Sequence, residues 1–252
     1  MAAMRLTVLA GAESASFVRE LAALLPGHDL TVVTSVARDQ WVHGLKRTPD
    51  ADALLDALRP AAPAPTSRVA EELAALGAEP RWAHDDDATL ARQVLRTQLL
   101  AAGFPLADVT AALSARLDLP ATVVPVAEHR TELHVVVAEG DDRRAVHVEE
   151  HLSTGGGPVE SVVVVSTDDA AAEPALAAVR DADHVVLAPV RPTVTRTPLL
   201  RAGGLREALA ARTAPLLAAP EADDPLAAHA DALDLPTRPV ATPADIAATV
   251  GA

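Results

Sequence analysis

The sequence predicts an α/β fold: a mostly parallel sheet with helices on both faces, plus a helical and β-hairpin excursion. Three observations point to it. Half of the 252 residues are hydrophobic but only 2% are aromatic, so the core must be built from Val, Leu and Ala, side chains suited to packing helices on sheets. Apolar runs of strand length near both ends of the chain are followed by segments of helical periodicity. Between them lies a run of helical patterns with a hairpin signature.

Residues 5–10 (RLTVLA) read as a buried strand, and Gly11 opens a loop leading into a helix over 14–25, with Ser14 as candidate N-cap. Residues 30–34 (LTVVT) form a second strand, and the unit 5–34 has the length of a right-handed βαβ crossover. The chain then turns polar, carries Trp41, and enters a helix near Asp50; irregular segments after strand ends tend to hold function. Residues 60–65 (PAAPAP) read as a stiff linker. Helices are expected over 67–76, 87–102 and 106–117. Strand-like runs follow at 121–126, 132–138 and 144–148, the last two joined by GDD as a hairpin. Residues 161–166 (SVVVVS), a helix over 173–182 and a strand over 184–188 restore the βαβ rhythm, repeated at 204–211 and 215–218. A last helix is expected over 243–250. The organisation expected is one domain over 1–252, with its core at about 1–59 and 159–252 and the excursion at about 60–158.

The formal charge of -14 is the wrong sign for nucleic-acid binding, while a small phosphorylated ligand needs only a few Arg, a metal ion or a helix N-terminus. The absence of Cys excludes disulfides, thiolate metal sites and Cys nucleophiles, and fits a reducing compartment. No apolar run approaches the roughly 18 residues of a spanning helix, and the N-terminal run is too short for a signal peptide. No membrane association and a cytoplasmic location are expected.

Among the motifs, the loop LAGAESASF has one Gly and no G-x-G-x-x-G, so phosphate binding there is a weak signal. His147, Glu150 and His151 match H-x-x-E-H formally, but the run begins in a strand-like segment, and a polar strand end is the better reading. Asp85, Asp86 and Asp87 stand at a helix start, where carboxylates complement the helix dipole. The most informative constellation is D-Q-W-V-H-G-L (Asp39, Trp41, His43, Gly44) followed by P-D-A-D (Pro49, Asp50, Asp52). Two carboxylates flanking an indole and an imidazole could hold Mg²⁺ against a diphosphate and seat a planar ring. The alternative is a structural loop with Trp41 buried and Asp50 capping the next helix.

These residues resemble the CofD family of 2-phospho-L-lactate transferases, whose pattern N-T-G-D-D-x-W-x-H-G-L then S-P-D-x-D meets SVARDQWVHGL then TPDAD here. A second block, DATLARQVLRTQLLAAGFPLADVTAAL, shares Asp87, Arg96, Thr97, Leu100, Gly103 and Thr110 with the family. A third, DADHVVLAPVRPTVTRTPLLRAGGLREALA, resembles its later A-P-S-N-P-x-V-S-I-G-P and G-I-R-E-A-L segments. The resemblance implies a Rossmann-like core and a Mg²⁺-dependent transfer of a phospholactyl-type group from a guanylylated donor to the ribityl hydroxyl of a deazaflavin precursor. It implies Asp39 and Asp50 as catalytic residues, Asp39, Asp50 and Asp87 around the metal, and Trp41, His43, Arg96, Arg191 and Arg196 as substrate contacts. A homodimer is the family-like expectation.

Departures cluster where ligands should sit: AGAESAS replaces the Gly-rich loop, Arg38 an Asp, Ala88 an Arg, and Val190 with Arg191 the S-N pair. A homologue without catalysis that keeps a binding or regulatory role is therefore the rival expectation, and an enzyme of altered anion specificity a third.

Overall fold

A computed structural model describes residues 3–61, 64–140 and 142–250. The central sheet contains β1 (Arg5–Ala10), β2 (Asp29–Thr34), β5 (Thr122–Pro125), β9 (His184–Leu187), β10 (Leu216–Ala218) and β11 (Thr237–Pro239). All its pairings are parallel, in the order β11-β10-β9-β1-β2-β5. The remaining strands are a hairpin, β3 (Gln40–Val42) with β4 (Leu45–Arg47), and an antiparallel sheet in which β6 (Thr131–Glu139) lies between β7 (Asp142–His147) and β8 (Val159–Ser166). The helices are α1 (Ala15–Leu24), α2 (Pro49–Leu58), α3 (Arg68–Ala75), α4 (Asp87–Ala101), α5 (Leu106–Arg116), α6 (Val148–Thr154), α7 (Glu173–Asp181), α8 (Thr197–Arg201), α9 (Leu205–Ala210) and α10 (Pro243–Val250).

Because successive strand residues face opposite sides, the near-continuous apolar runs of β1, β2, β5 and β9 serve two cores. Val8, Val32, Val123 and Val186 pack with Val18 and Leu21 of α1, Leu54 and Leu55 of α2 and Ile246 of α10. Leu9, Val33, Val124, Val185 and Leu187 pack with Val179 of α7, Leu199 of α8 and Leu205 of α9 on the other side. A third cluster joins Leu133 and Val135 of β6 and Val148 of α6 to Ala37, Val194 and Leu226, seating the small sheet over the loops of the large one.

Three expectations change. SVVVVS was expected to rejoin the large sheet, but it forms β8 at the edge of the small one, while β5, assigned to the excursion, lies in the large sheet. A continuous Val run mimics a strand buried on both faces; here Val163 and Val165 remain exposed, and Val162 and Val164 pack against the third cluster. The residues after His147 are helical, with Glu149 N–H donating to His147 Nδ1 at the start of α6, so they are not a strand end. Ser14 does not cap α1: its hydroxyl donates to Pro189 O. The expected linker at 60–65 includes residues 62 and 63, which lie outside the described residues.

The acidic segment after Pro220 fastens the loop that follows β9. Asp224 accepts from Thr193 N–H at 2.6 Å, Asp231 accepts from Arg201 Nε at 2.7 Å, and Glu221 accepts from Arg196. Residues 192–196 of that loop wind as one π-helical turn leading into α8.

Candidate functional site

The strand order reverses at β1: the chain builds outward through β2 on one side and through β9 and β10 on the other. Such a switch point opens a crevice at the carboxyl ends of the strands, bordered by the loops after β1 and β9. Those loops meet around Gly11, where a Cβ would lie 2.7 Å from Thr195 Cγ2. Glu13 Oε1 accepts from Arg191 N–H at 2.8 Å, and Asp50 Oδ1 accepts from Ala12 N–H at 3.0 Å. Backbone N–H groups in such a loop are natural anion receptors, and here carboxylates of the chain itself occupy two of them.

Asp50 is brought in by α2, where Pro49 opens the helix, and it is completely buried. Arg38 Nη1 donates to Asp50 Oδ1 at 3.0 Å and Arg38 Nε to Glu149 Oε1 at 2.5 Å. Glu149 Oε2 accepts from Arg47 Nη1 at 3.0 Å, and Arg47 forms a two-point pair with Asp85 at 2.7 and 3.0 Å. Gln93 Nε2 closes the chain on Asp85 at 2.9 Å. Burial pushes Asp50 up to about 7; Arg38 opposes the rise and Glu13 adds to it. Burial, which alone would weaken the Arg38 cation, is outweighed by Asp50 and Glu149, so Arg38 is held protonated.

A second network fixes the β3–β4 hairpin. Arg96, 0% exposed, donates to both oxygens of Asp52 at 2.7 and 3.2 Å and to Lys46 O at 3.2 Å. Arg92 adds Nε to Asp52 at 3.4 Å and reaches Asp56 with Nη2 at 2.5 Å. Lys46 N–H donates to Thr97 Oγ1 at 2.8 Å, and Lys46 Nζ lies 3.2 Å from Asp39, which burial raises to about 6 against the pull of that ammonium.

Between the hairpin, α3 and α4 is a cavity of about 440 Å³. Leu45, Val69, Leu73, Leu90 and Val94 give it apolar walls, with His43 at the hairpin turn and Asp85 and Gln93 on the side shared with the Arg47 network. His43 and Gly44 form the turn with positive φ, 51° and 75°, which explains the H-G pair: Gly takes this backbone freely.

A sequence model of the family described as 2-phospho-L-lactate transferase CofD matches residues 6–222. The chain belongs to the CofD family. Over 203 residues it is 38% identical to the phosphoenolpyruvate transferase of Mycobacterium marinum, covering 75% of this chain and 62% of the relative. Over 226 residues it is 34% identical to the phosphoenolpyruvate transferase of Streptomyces griseus, covering 85% and 71%. The chain thus spans less than two thirds of the length of the mycobacterial relative. A solved UPF0052-family protein from Bacillus halodurans shares the fold, with a TM-score of 0.61 at 20% identity over 87% of this chain and 69% of that one.

Within this CofD-family frame the residues singled out by sequence divide. Asp39 and Asp50 lie buried, paired with Lys46 and Arg38 respectively. Asp87 caps α3, accepting from Thr66 Oγ1 at 2.6 Å and Val69 N–H at 3.0 Å. Among the described residues no three His, Asp or Glu side chains are grouped to hold a metal ion, so the expected Asp39, Asp50 and Asp87 triad is not brought together. As placed, these residues do not fit the Mg²⁺ that the resemblance implies.

Arg96 is enclosed as a structural pair and does not line the hairpin cavity, which corrects its expected role as a substrate contact. Arg196 is likewise committed, to Glu221 and to Asp231 O at 2.7 Å. Trp41 is 58% exposed rather than buried, and Asp50 bonds Ala12 and Arg38 instead of capping its helix. Arg191 stands at the crevice beside Glu13, with its Nε buried and unpartnered. Sequence reasoning missed Glu13, Glu149 and Gln93. Only Glu149 had a signal, its place inside the H-x-x-E-H run.

Proposed function

We propose that the chain is a transferase of deazaflavin coenzyme biosynthesis, moving a phosphorylated three-carbon acid from a guanosine-nucleotide-activated donor to the ribityl hydroxyl of a deazaflavin precursor. The observation that carries this reading is the apolar cavity walled by the family's own H-G-L turn. A slot of about 440 Å³ with a few polar groups at one side suits a flat heterocycle whose polyol tail points toward the charged network. The names of the relatives favour the enolpyruvyl form of the donor over the lactyl form.

In this reading the hydroxyl oxygen forms the new bond to phosphorus, the bond to the guanosine monophosphate oxygen breaks, and the hydroxyl proton passes to a carboxylate. The carboxylate this reading assigns is Asp50: burial raises its proton affinity, its Oδ2 carries no hydrogen-bond partner, and the substrate reaches it by displacing the Arg38 contact that encloses it. Asp39 supports the hairpin through Lys46, and His43 lines the cavity beside the ring, whereas Trp41 stays exposed outside it. Arg38 and Arg191 supply positive charge to the donor phosphates.

One observation favours a second reading, a binding homologue without turnover: Glu13 and Asp50 already occupy the N–H groups of Arg191 and Ala12. Incubating the protein with the deazaflavin precursor and either guanylylated donor, with the product read by mass spectrometry, separates the two. A mass increase on the precursor supports transfer. Saturable binding of the precursor without product supports the second reading, and neither result leaves the cavity assignment wrong.

A further inference from the structure

Three carboxylates converge on one guanidinium at the crevice. Asp50 comes from α2, Glu149 from α6 and Glu13 from the loop after β1, and each raises the proton affinity of Arg38 through its charge. Arg38 contacts Asp50 at 3.0 Å and Glu149 at 2.5 Å. Two further acceptor atoms of the cluster, Asp50 Oδ2 and Glu13 Oε2, are buried without any hydrogen-bond partner. Asp50 itself is 0% exposed, so its free oxygen is not satisfied by bulk water.

Arg47 also pairs with Glu149, and the N–H groups of Ala12 and Arg191 hold Asp50 Oδ1 and Glu13 Oε1, so Arg38 is the guanidinium that joins Asp50 to Glu149 across the crevice. A buried acceptor left open is expensive. With Arg38 between them these carboxylates are not grouped as metal ligands, although carboxylate oxygens from separate elements are what hard divalent cations take. We propose that Arg38 is a resident cation in a carboxylate cage of Glu13, Asp50 and Glu149, filling the position a divalent ion would take, so that the site works without a metal. The guanidinium supplies permanent positive charge at the crevice and holds Asp50 in place, and its side chain fills the space an ion and its waters would need. Removing it leaves Asp50 without its cation while Glu149 keeps Arg47, and opens the cage to a divalent ion. The inference does not rest on the transferase reading, since cation binding needs no substrate.

The test is thermal unfolding, with Mn²⁺ binding followed by electron paramagnetic resonance, in wild type, Arg38→Ala and Arg38→Ala/Asp50→Asn. Wild type should melt at the same temperature in chelator and in millimolar Mg²⁺, Mn²⁺ or Ca²⁺, and bind no stoichiometric Mn²⁺. Arg38→Ala should melt lower in chelator and rise by roughly 5 °C or more in Mn²⁺ at about 100 times the dissociation constant. Asp50→Asn in that background should abolish the rise. If Arg38→Ala is unfolded in chelator, folding on addition of Mn²⁺ supports the proposal, and remaining unfolded in both overturns it. A folded Arg38→Ala that ignores all three ions overturns it too, as does a wild-type protein that binds Mn²⁺ at a site lost in Asp50→Asn.

Discussion

Replacing Arg96 with Ala separates a structural from a ligand-binding role for this side chain. Arg96 is fully enclosed, makes a two-point pair with Asp52 and also holds the Lys46 carbonyl. Truncation leaves Asp52, 4% exposed, with the longer contacts to Arg92 at 3.4 Å and Thr48 at 3.3 Å. Breaking a buried pair by removing one partner costs about 3–5 kcal/mol. For a chain of this size each kcal/mol lowers the melting temperature by about 2–4 °C, so a fall of roughly 6–20 °C is expected. Urea unfolding of Arg96→Ala, Asp52→Ala and the double variant gives the coupling directly; a large favourable coupling is expected, because Ala at both positions leaves no unpaired charge. Wild-type stability in Arg96→Ala, together with lost affinity for a phosphorylated ligand, would refute the structural assignment.

Gly11→Ala places a methyl group 2.7 Å from Thr195 Cγ2, so it should destabilise by about 1–3 kcal/mol, and Thr195→Ala in the same chain should recover part of that loss in a denaturant melt. Asp39 and Asp50 bind protons more tightly folded, at about 6 and 7, than at the ordinary 3.8. Their contribution to stability is therefore full below about pH 4 and lost as pH rises through 6 and 7; urea unfolding between pH 4 and 8 should show a shallower decline in Asp50→Asn. Ala91 sits on an exposed face of α4 and lines the cavity, so Ala91→Trp should fill it, weakening deazaflavin binding tenfold or more while leaving the melting temperature within a few degrees.

Much of the frame was legible because its signals are local. Short apolar runs mark β1, β2 and β9, and α10 occupies the expected residues 243–250. The exchange of β5 and β8 between sheets was not legible: TVVP and SVVVVS are both short Val runs, and which one gains helices on both faces depends on chain topology. The site shows the same limit. The block from Asp39 to Asp52 forms the β3–β4 hairpin and the start of α2, yet spacing carries no information on which cation faces which carboxylate. Arg96 and Arg196 are substrate contacts by resemblance and are tied to Asp52 and Glu221 in the fold. Glu13 has no motif and Glu149 only its place inside the H-x-x-E-H run, because their role arises only when the β1 loop and α6 meet Arg38 and Arg191.

The most direct test is a fluorescence titration of wild type and Ala91→Trp with the deazaflavin precursor, with and without Mg²⁺ and a guanosine nucleotide. The account predicts saturable binding of one precursor per wild-type chain, unchanged by Mg²⁺ and lost or strongly weakened in Ala91→Trp. Absence of binding by the folded wild-type protein, or equal binding by the variant, would contradict it.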